Sequence, residues 1–181
     1  MRTLAYLLAV FALAACDSGT VPSPADRQNG QIAESGEVAR DLVALHGEGL
    51  VAGAEAFYFA AGRSEVERAL EAALGPMVES SENPECGAGP IESSQWPGGL
   101  TVNFQNGNLV GWTLREGARN IQIDADVAIG TPRSTAEDVS GYTPIEDSTL
   151  GEEFALGENL GGFIEGDTVT MLYAGTQCFF R

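Results

Sequence analysis

One five-residue pattern occurs twice in this sequence and constrains the fold more than any other feature. Arg63-Ser64-Glu65-Val66-Glu67 and Arg133-Ser134-Thr135-Ala136-Glu137 share the order Arg-Ser-x-x-Glu, and their serines lie 70 residues apart. Serine followed three residues later by glutamate is a capping box, so each copy predicts a helix that starts at its serine. The first copy leads into residues spaced for one apolar helix face, namely Val66, Ala69, Leu70, Ala73 and Leu74.

Strand-like runs follow both predicted helices. Residues 100–104 alternate, Asn106-Gly107 is typical of a two-residue hairpin turn, and residues 109–114 form the return strand. Residues 168–174 are the corresponding run in the second half. We therefore predict an α+β fold with two pseudo-repeats, about residues 54–115 and 121–178, each a short helix plus an antiparallel β-meander. These lie in a single domain, residues 37–181, and one disulfide joins them.

Two stretches are less regular. Residues 37–53 fit either a short helix or two short strands about the Gly47–Gly49 turn, and both alternatives stay open. Residues 79–89 are polar, which predicts a loop that carries Cys86.

The first 15 residues have the layout of an export signal. Arg2 is their one charge, an apolar core follows, and Ala14-Ala15 supply the small residues that a signal peptidase needs near its cut. The apolar run is too short for a transmembrane helix, which needs about 20 residues. Residues 1–15 are therefore predicted to be a signal peptide, and the folded part is exported.

Leu13-Ala14-Ala15-Cys16 resembles the lipidation signal of bacterial lipoproteins. The resemblance implies cleavage before Cys16, a diacylglycerol on its sulfur and a further acyl chain, such as palmitate, on its amine. Two or more acyl chains anchor a protein stably, at about 0.8 kcal/mol per buried methylene. An ordinary secretory signal that happens to contain a cysteine is the alternative. Residues 16–36, rich in Ser, Pro and Gly, would then be a lipid anchor and flexible tether, with the domain in the periplasm on the inner or outer membrane.

The other two cysteines, Cys86 and Cys178, are predicted to form a disulfide. An exported chain folds in an oxidising compartment, where paired cysteines oxidise. The alternatives are a metal site and a nucleophilic thiol, but two cysteines with one distant histidine make a poor zinc set.

The charge excludes several functions. The formal net charge is −17, and every positive side chain is arginine. Such an acidic chain does not bind nucleic acid or anionic head groups by electrostatics, whereas it can attract a basic partner. The absence of lysine excludes Schiff-base chemistry and a P-loop. We expect no cofactor.

Candidate catalytic and metal-binding residues are few. His46 is the one histidine, and an exposed turn position suits it better than a catalytic triad. Gly47-x-Gly49-x-x-x-Gly53 looks loosely like a dinucleotide loop, but a strand-like run rather than a helix follows it. Asp124 and Asp126 fail the EF-hand spacing because its twelfth position falls on Thr135, which leaves only a loose surface calcium site as an alternative.

Two wider resemblances add to this. The twofold helix-and-strand pattern is similar to the β-lactamase-inhibitor-like fold. The chain also resembles a family of alphaproteobacterial lipoproteins over residues 42–181, in the segments Cys86-Gly87-Ala88-Gly89-Pro90, 96–100, Gly111-Trp112, 148–154 and 174–178. Neither resemblance implies a catalytic residue.

We expect a membrane-anchored envelope lipoprotein that is not an enzyme and works by contact with a protein partner. One alternative is an inhibitor or binder of a basic, envelope-directed enzyme. A weak hydrolase or small-ligand binder that uses His46 is a further alternative.

Overall fold

The structure, a computed structural model, describes residues 40–117 and 119–179. The predicted signal peptide, the predicted lipidation site Cys16 and the predicted tether lie outside this range. No helix in the described part of the chain is long and apolar enough to cross a membrane.

Strands dominate the described residues. The two helices are α1 (Arg63–Leu74) and α2 (Arg133–Glu137). The strands, in chain order, are β1 (Val43–His46), β2 (Gly49–Ala52), β3 (Glu55–Tyr58), β4 (Glu79–Asn83), β5 (Ile91–Trp96), β6 (Leu100–Gln105), β7 (Asn108–Leu114), β8 (Ile121–Ile123), β9 (Tyr142–Ile145), β10 (Glu152–Leu156), β11 (Leu160–Glu165) and β12 (Thr168–Gly175).

These strands form two sheets. The larger sheet has eight antiparallel strands in the order β4-β5-β6-β7-β12-β11-β10-β9. The smaller sheet has four strands in the order β3-β2-β1-β8, and β8 runs parallel to β1. The smaller sheet and α1 both pack against the larger sheet, through β2 on β7 and α1 on β5 and β7.

The α+β prediction is therefore wrong. Strands hold 46% of the described residues and helices 12%, in a mostly β, sandwich-like fold of two sheets. The prediction of two helix-plus-meander repeats did not include the four-stranded sheet. Strands β1 and β2 of this sheet lie within residues 37–53, whose structure the sequence left open. It also assigned residues 79–89 to a loop, although they begin with strand β4. Helix α2 is only five residues long, so it adds little to the helical content of the fold.

The two halves of the larger sheet are arranged alike around the central pair β7 and β12. The turn before β7 accepts a backbone hydrogen bond from Arg63, since Arg63 N–H donates to Gly107 O at 2.9 Å. The turn before β12 is bonded in the same way, since Arg133 N–H donates to Asp167 O at 2.8 Å. In both halves, the start of the helix is thus tied to the hairpin that feeds the centre of the sheet.

The Arg-Ser-x-x-Glu pattern serves this attachment rather than a capping box. Helix α1 starts at Arg63, Gly62 is its N-cap, and no side chain caps it. Glu67 pairs with Arg63 at 2.8 Å instead of reaching back to Ser64, and Arg63 also pairs with Glu92 on β5. The predicted helix start is one residue late because the arginine is held in place by the sheet.

The second arginine makes the corresponding contacts. Arg133 pairs with Glu152 on β10 and approaches Glu137 to 3.9 Å. The hydrogen bond that Arg133 donates to the carboxylate of Glu152 raises the pKa of the Arg133 guanidinium above its ordinary value. Both copies of the pattern therefore join a helix start to the second strand of the meander that follows.

Trp112 lies at the centre of the core between the two sheets. Its side chain is fully buried, beside Val102 on β6 and Ala174 on β12 in the sheet register. The indole N–H donates to the backbone oxygens of His46 and Gly49, both at 3.0 Å. Trp112 thus holds the β1–β2 turn of the smaller sheet against the larger one.

The opposite face of the larger sheet is covered by residues 176–179, which we call the C-terminal strap. Gln177 Nε2 donates to the backbone oxygens of Trp112 at 3.0 Å and Ala174 at 2.7 Å. Asn103 Nδ2 donates to Thr176 O at 3.1 Å. The disulfide between Cys86 and Cys178 is present, with a Cα–Cα distance of 5.4 Å, so its prediction is confirmed. It joins the strap to the loop after β4.

The strap ends on a small aromatic cluster. Phe179 packs edge-on against Phe163 and Tyr173, with ring centroids 5.5 and 5.1 Å away. The Tyr173 hydroxyl donates to the buried carboxylate of Glu153 at 2.6 Å, and Ser148 Oγ donates to its other oxygen. Hydrogen bonds of this kind offset the cost of burying a polar group.

We expect Gly162→Ala to destabilise the fold by about 1–3 kcal/mol, the usual cost of overpacking a core. A Cβ at Gly162 would lie 2.5 Å from Phe154 Cζ and 2.8 Å from Met171 O, and the backbone oxygen cannot move aside. Urea unfolding measures the change. Gly87→Ala is the control, because a Cβ there meets nothing within 4 Å. Equal stability of the two variants would contradict the packing described for β11.

Candidate functional site

The predicted site residues have different roles in the structure and do not form one site. Cys86 and Cys178 are used in the disulfide. Cys16 lies outside the described residues. His46 is at the end of β1, where the chain turns into β2. The glycine pattern from Gly47 to Gly53 covers this hairpin turn and strand β2, and strand β3 rather than a helix follows it.

His46 is half-buried beside an exposed tyrosine. Its ring meets the ring of Tyr58 edge-on, with the centroids 5.8 Å apart. Tyr58 is 61% exposed, one of two large apolar side chains this open in the described part of the chain. No described side chain donates to or accepts from the imidazole, so the hydrolase alternative finds no hydrogen-bonded partner for His46 within residues 40–117 and 119–179.

The surroundings of His46 are formed by two touching turns. The β1–β2 turn of the smaller sheet meets the β10–β11 turn of the larger sheet, and a Cβ at Gly47 would lie 2.6 Å from Asn159 Cβ. Glycine at position 47 is what permits this approach. Two cavities, of about 500 and 510 Å³, open beside this contact.

We call these two cavities the turn cleft. Both are lined by Gly47, Glu48, Glu158, Asn159 and Leu160. The first adds His46, Tyr58, Asp124 and Leu156, and the second adds Phe59, Ala155, Tyr173 and Gly175.

The charged groups of the turn cleft are all carboxylates. Glu48, Asp124 and Glu158 are exposed, and none of them makes an ion pair with another described residue. No arginine lines either cavity. The turn cleft therefore combines a negative potential with an exposed aromatic ring.

The calcium alternative finds no support in this arrangement. Asp124 lines the turn cleft, whereas Asp126 does not. Throughout the residues that the structure describes, no three His, Cys, Asp or Glu side chains come together in a way that could hold a metal ion.

Backbone contacts hold the turn cleft in place. Trp112 bonds to the two ends of the β1–β2 turn, and Asp124 N–H donates to Leu45 O at 2.8 Å. Phe59 N–H donates to Glu48 O at 2.9 Å and so continues the β2–β3 ladder past the turn. The lining is thus set by ordered strands rather than by a long loop.

Comparison with known proteins identified no relative of this chain. The sequence matches no protein-family model, no curated protein and no solved structure.

Sequence reasoning identified His46 and Asp124 but missed Tyr58, Glu48 and Glu158. The sequence does not indicate whether a tyrosine at the last position of a short strand is exposed or buried. Position 158 is more than 100 residues from His46, so only the tertiary fold brings the two turns together.

Proposed function

We propose that this chain is a lipid-anchored envelope protein that works by binding a protein partner through its folded domain. The observation that carries this proposal is the exposed Tyr58 at the mouth of the turn cleft. Tyrosine is enriched among the residues that dominate the energy of protein interfaces, where it usually sits in or beside a pocket.

The anchor is proposed from the sequence. Leu13-Ala14-Ala15-Cys16 resembles a lipoprotein signal, and lipid on Cys16 would hold the chain to the inner or outer membrane. The segment between Cys16 and the described domain would act as a tether that lets the domain reach a partner in the periplasm. The resemblance to a lipoprotein family agrees with this role, but it names no partner.

Charge supports a basic partner. The net charge of −17 and the unpaired carboxylates of the turn cleft would steer a positively charged protein toward this surface. A basic, envelope-directed enzyme is one such partner, and inhibition would be one consequence of binding it.

Affinity capture from detergent-solubilised native envelope tests the proposal. The lipidated protein, a Cys16→Ala form and a Cys16→Ala/Tyr58→Ala form are used in parallel. We expect one reproducible basic partner held by the first two forms and lost from the third, and we expect binding to weaken in high salt.

Other outcomes would count against the proposal. Capture by the lipidated form alone would show that the anchor, not the domain, makes the association. Absence of a partner from all three forms would contradict an interaction role.

A further inference from the structure

We propose that the turn cleft is the docking site for a cationic side chain, arginine or lysine, on an exposed loop of the protein partner. This inference rests on the proposed function and adds to it the place and the chemistry of contact. It is argued from the shape of the turn cleft, its aromatic rings and its charge.

The shape suits a single inserted side chain with its flanking backbone. Each cavity is of about 500 Å³, within the range of roughly 300–1,000 Å³ typical of ligand pockets. Both cavities are lined by Gly47 and Asn159, where the two turns meet. A loop of the partner could therefore straddle this contact and place a side chain on the Tyr58 side.

The aromatic rings favour a cation over a neutral group. Tyr58 is exposed, lines the first cavity, and its ring centroid lies 5.8 Å from that of His46. The negative face of a tyrosine ring attracts a guanidinium or ammonium group, and a neutral group lacks this attraction. Arg63 already lies over the Phe104 ring at 5.2 Å elsewhere in this chain.

The charges complement a cation in the same place. Two carboxylates on the larger sheet form ion pairs within the chain, Glu92 with Arg63 and Glu152 with Arg133. Those of the turn cleft, Glu48, Asp124 and Glu158, pair with no described residue. A cation supplied by a partner would give them the hydrogen-bonded partner that this part of the chain does not supply.

The turn cleft is also ordered before binding. Trp112 holds the β1–β2 turn by two hydrogen bonds, and glycine at position 47 lets the two turns lie close together. A site that is already in place avoids much of the entropy cost of ordering loops on binding. This property suits a docking site for one protruding side chain.

His46 makes a direct test practicable because it is the one histidine in the chain and lies inside the turn cleft. Its ring proton signals can be followed by NMR in the full mature chain carrying Cys16→Ala. The probe is a blocked hexapeptide with two arginines, titrated at fixed pH and low salt. The control probe is the same peptide with citrulline in place of arginine.

We expect the arginine peptide to shift the His46 signals in a saturable way and the citrulline peptide to leave them unchanged. Glu48→Gln/Glu158→Gln should weaken binding by about tenfold, the loss of two exposed ion pairs. The matched control is Glu79→Gln/Glu82→Gln on β4, which changes the net charge equally and should bind as the parent does. Tyr58→Phe should keep binding, whereas Tyr58→Leu should weaken it.

Equal weakening by both double variants would overturn the inference, because general acidity would then explain binding. Equal shifts with the citrulline peptide would overturn it as well. The outcome is separable from the proposed function. If Glu48→Gln/Glu158→Gln does not change the binding of a captured partner, the proposed function stands but the docking site lies elsewhere. If the peptide binds but no envelope partner is captured, the site stands but the proposed function is contradicted.

Discussion

Replacing both Cys86 and Cys178 with serine is expected to lower the free energy of unfolding by about 4–5 kcal/mol. The disulfide joins residues 92 apart in sequence, and the loop-entropy model gives this figure for a loop of that length. The loss approaches the whole stability of a marginal domain, about 5–15 kcal/mol. Urea unfolding of the serine variant and of the parent chain measures it.

The matched control is Cys16→Ser, which removes a cysteine outside the disulfide and should leave the unfolding free energy unchanged. The parent chain unfolded with a reducing agent should behave like the double serine variant. If reduction and double substitution each cost less than about 1 kcal/mol, the strap would be held by its hydrogen bonds and by Phe179 rather than by the disulfide.

The disulfide could be predicted from the sequence because its argument needed no three-dimensional information. The predicted export signal implied an oxidising compartment, and only two cysteines remained once Cys16 was assigned to the predicted anchor. The β6–β7 hairpin could be predicted for a similar reason, since Asn106-Gly107 specifies its turn locally, and Asn106 does adopt a positive φ of 51°.

Strands β4 and β9 could not be predicted in the same way. Strand β4 reads Glu-Ser-Ser-Glu-Asn and is exposed at every position but its last, so it lacks the alternation of apolar residues that marks a half-buried strand. Strand β9 contains Pro144, which a sheet tolerates at an edge. Both are edge strands, and pairing with β5 or β10 defines them more than their own residues do.

The four-stranded sheet was missed for a different reason. Strand β8 pairs in parallel with β1, whose paired residues come 78 positions earlier, and a parallel pair leaves no hairpin signal in the sequence. The candidate site has the same difficulty, because Tyr58 and Glu158 come together only once both sheets have formed.

Trp112→Ala is expected to destabilise the fold by about 3–5 kcal/mol, the usual cost of removing a buried aromatic side chain. Its indole is fully buried and is the largest such side chain among the described residues. Trp112→Phe separates the two parts of this cost. It keeps most of the apolar contact but removes both hydrogen bonds to the β1–β2 turn, so a loss of about 1–3 kcal/mol is expected.

The matched control is Trp96→Phe. Trp96 is also buried, but its N–H donates only to Ser94 two residues away, at 3.1 Å, so its replacement should cost less than Trp112→Phe. Urea unfolding gives the stabilities, and the His46 ring signals report the turn directly. They should broaden or shift in Trp112→Phe but not in Trp96→Phe, because only Trp112 bonds to the backbone oxygen of His46. Unchanged His46 signals in both variants would mean that the turn cleft is held without Trp112.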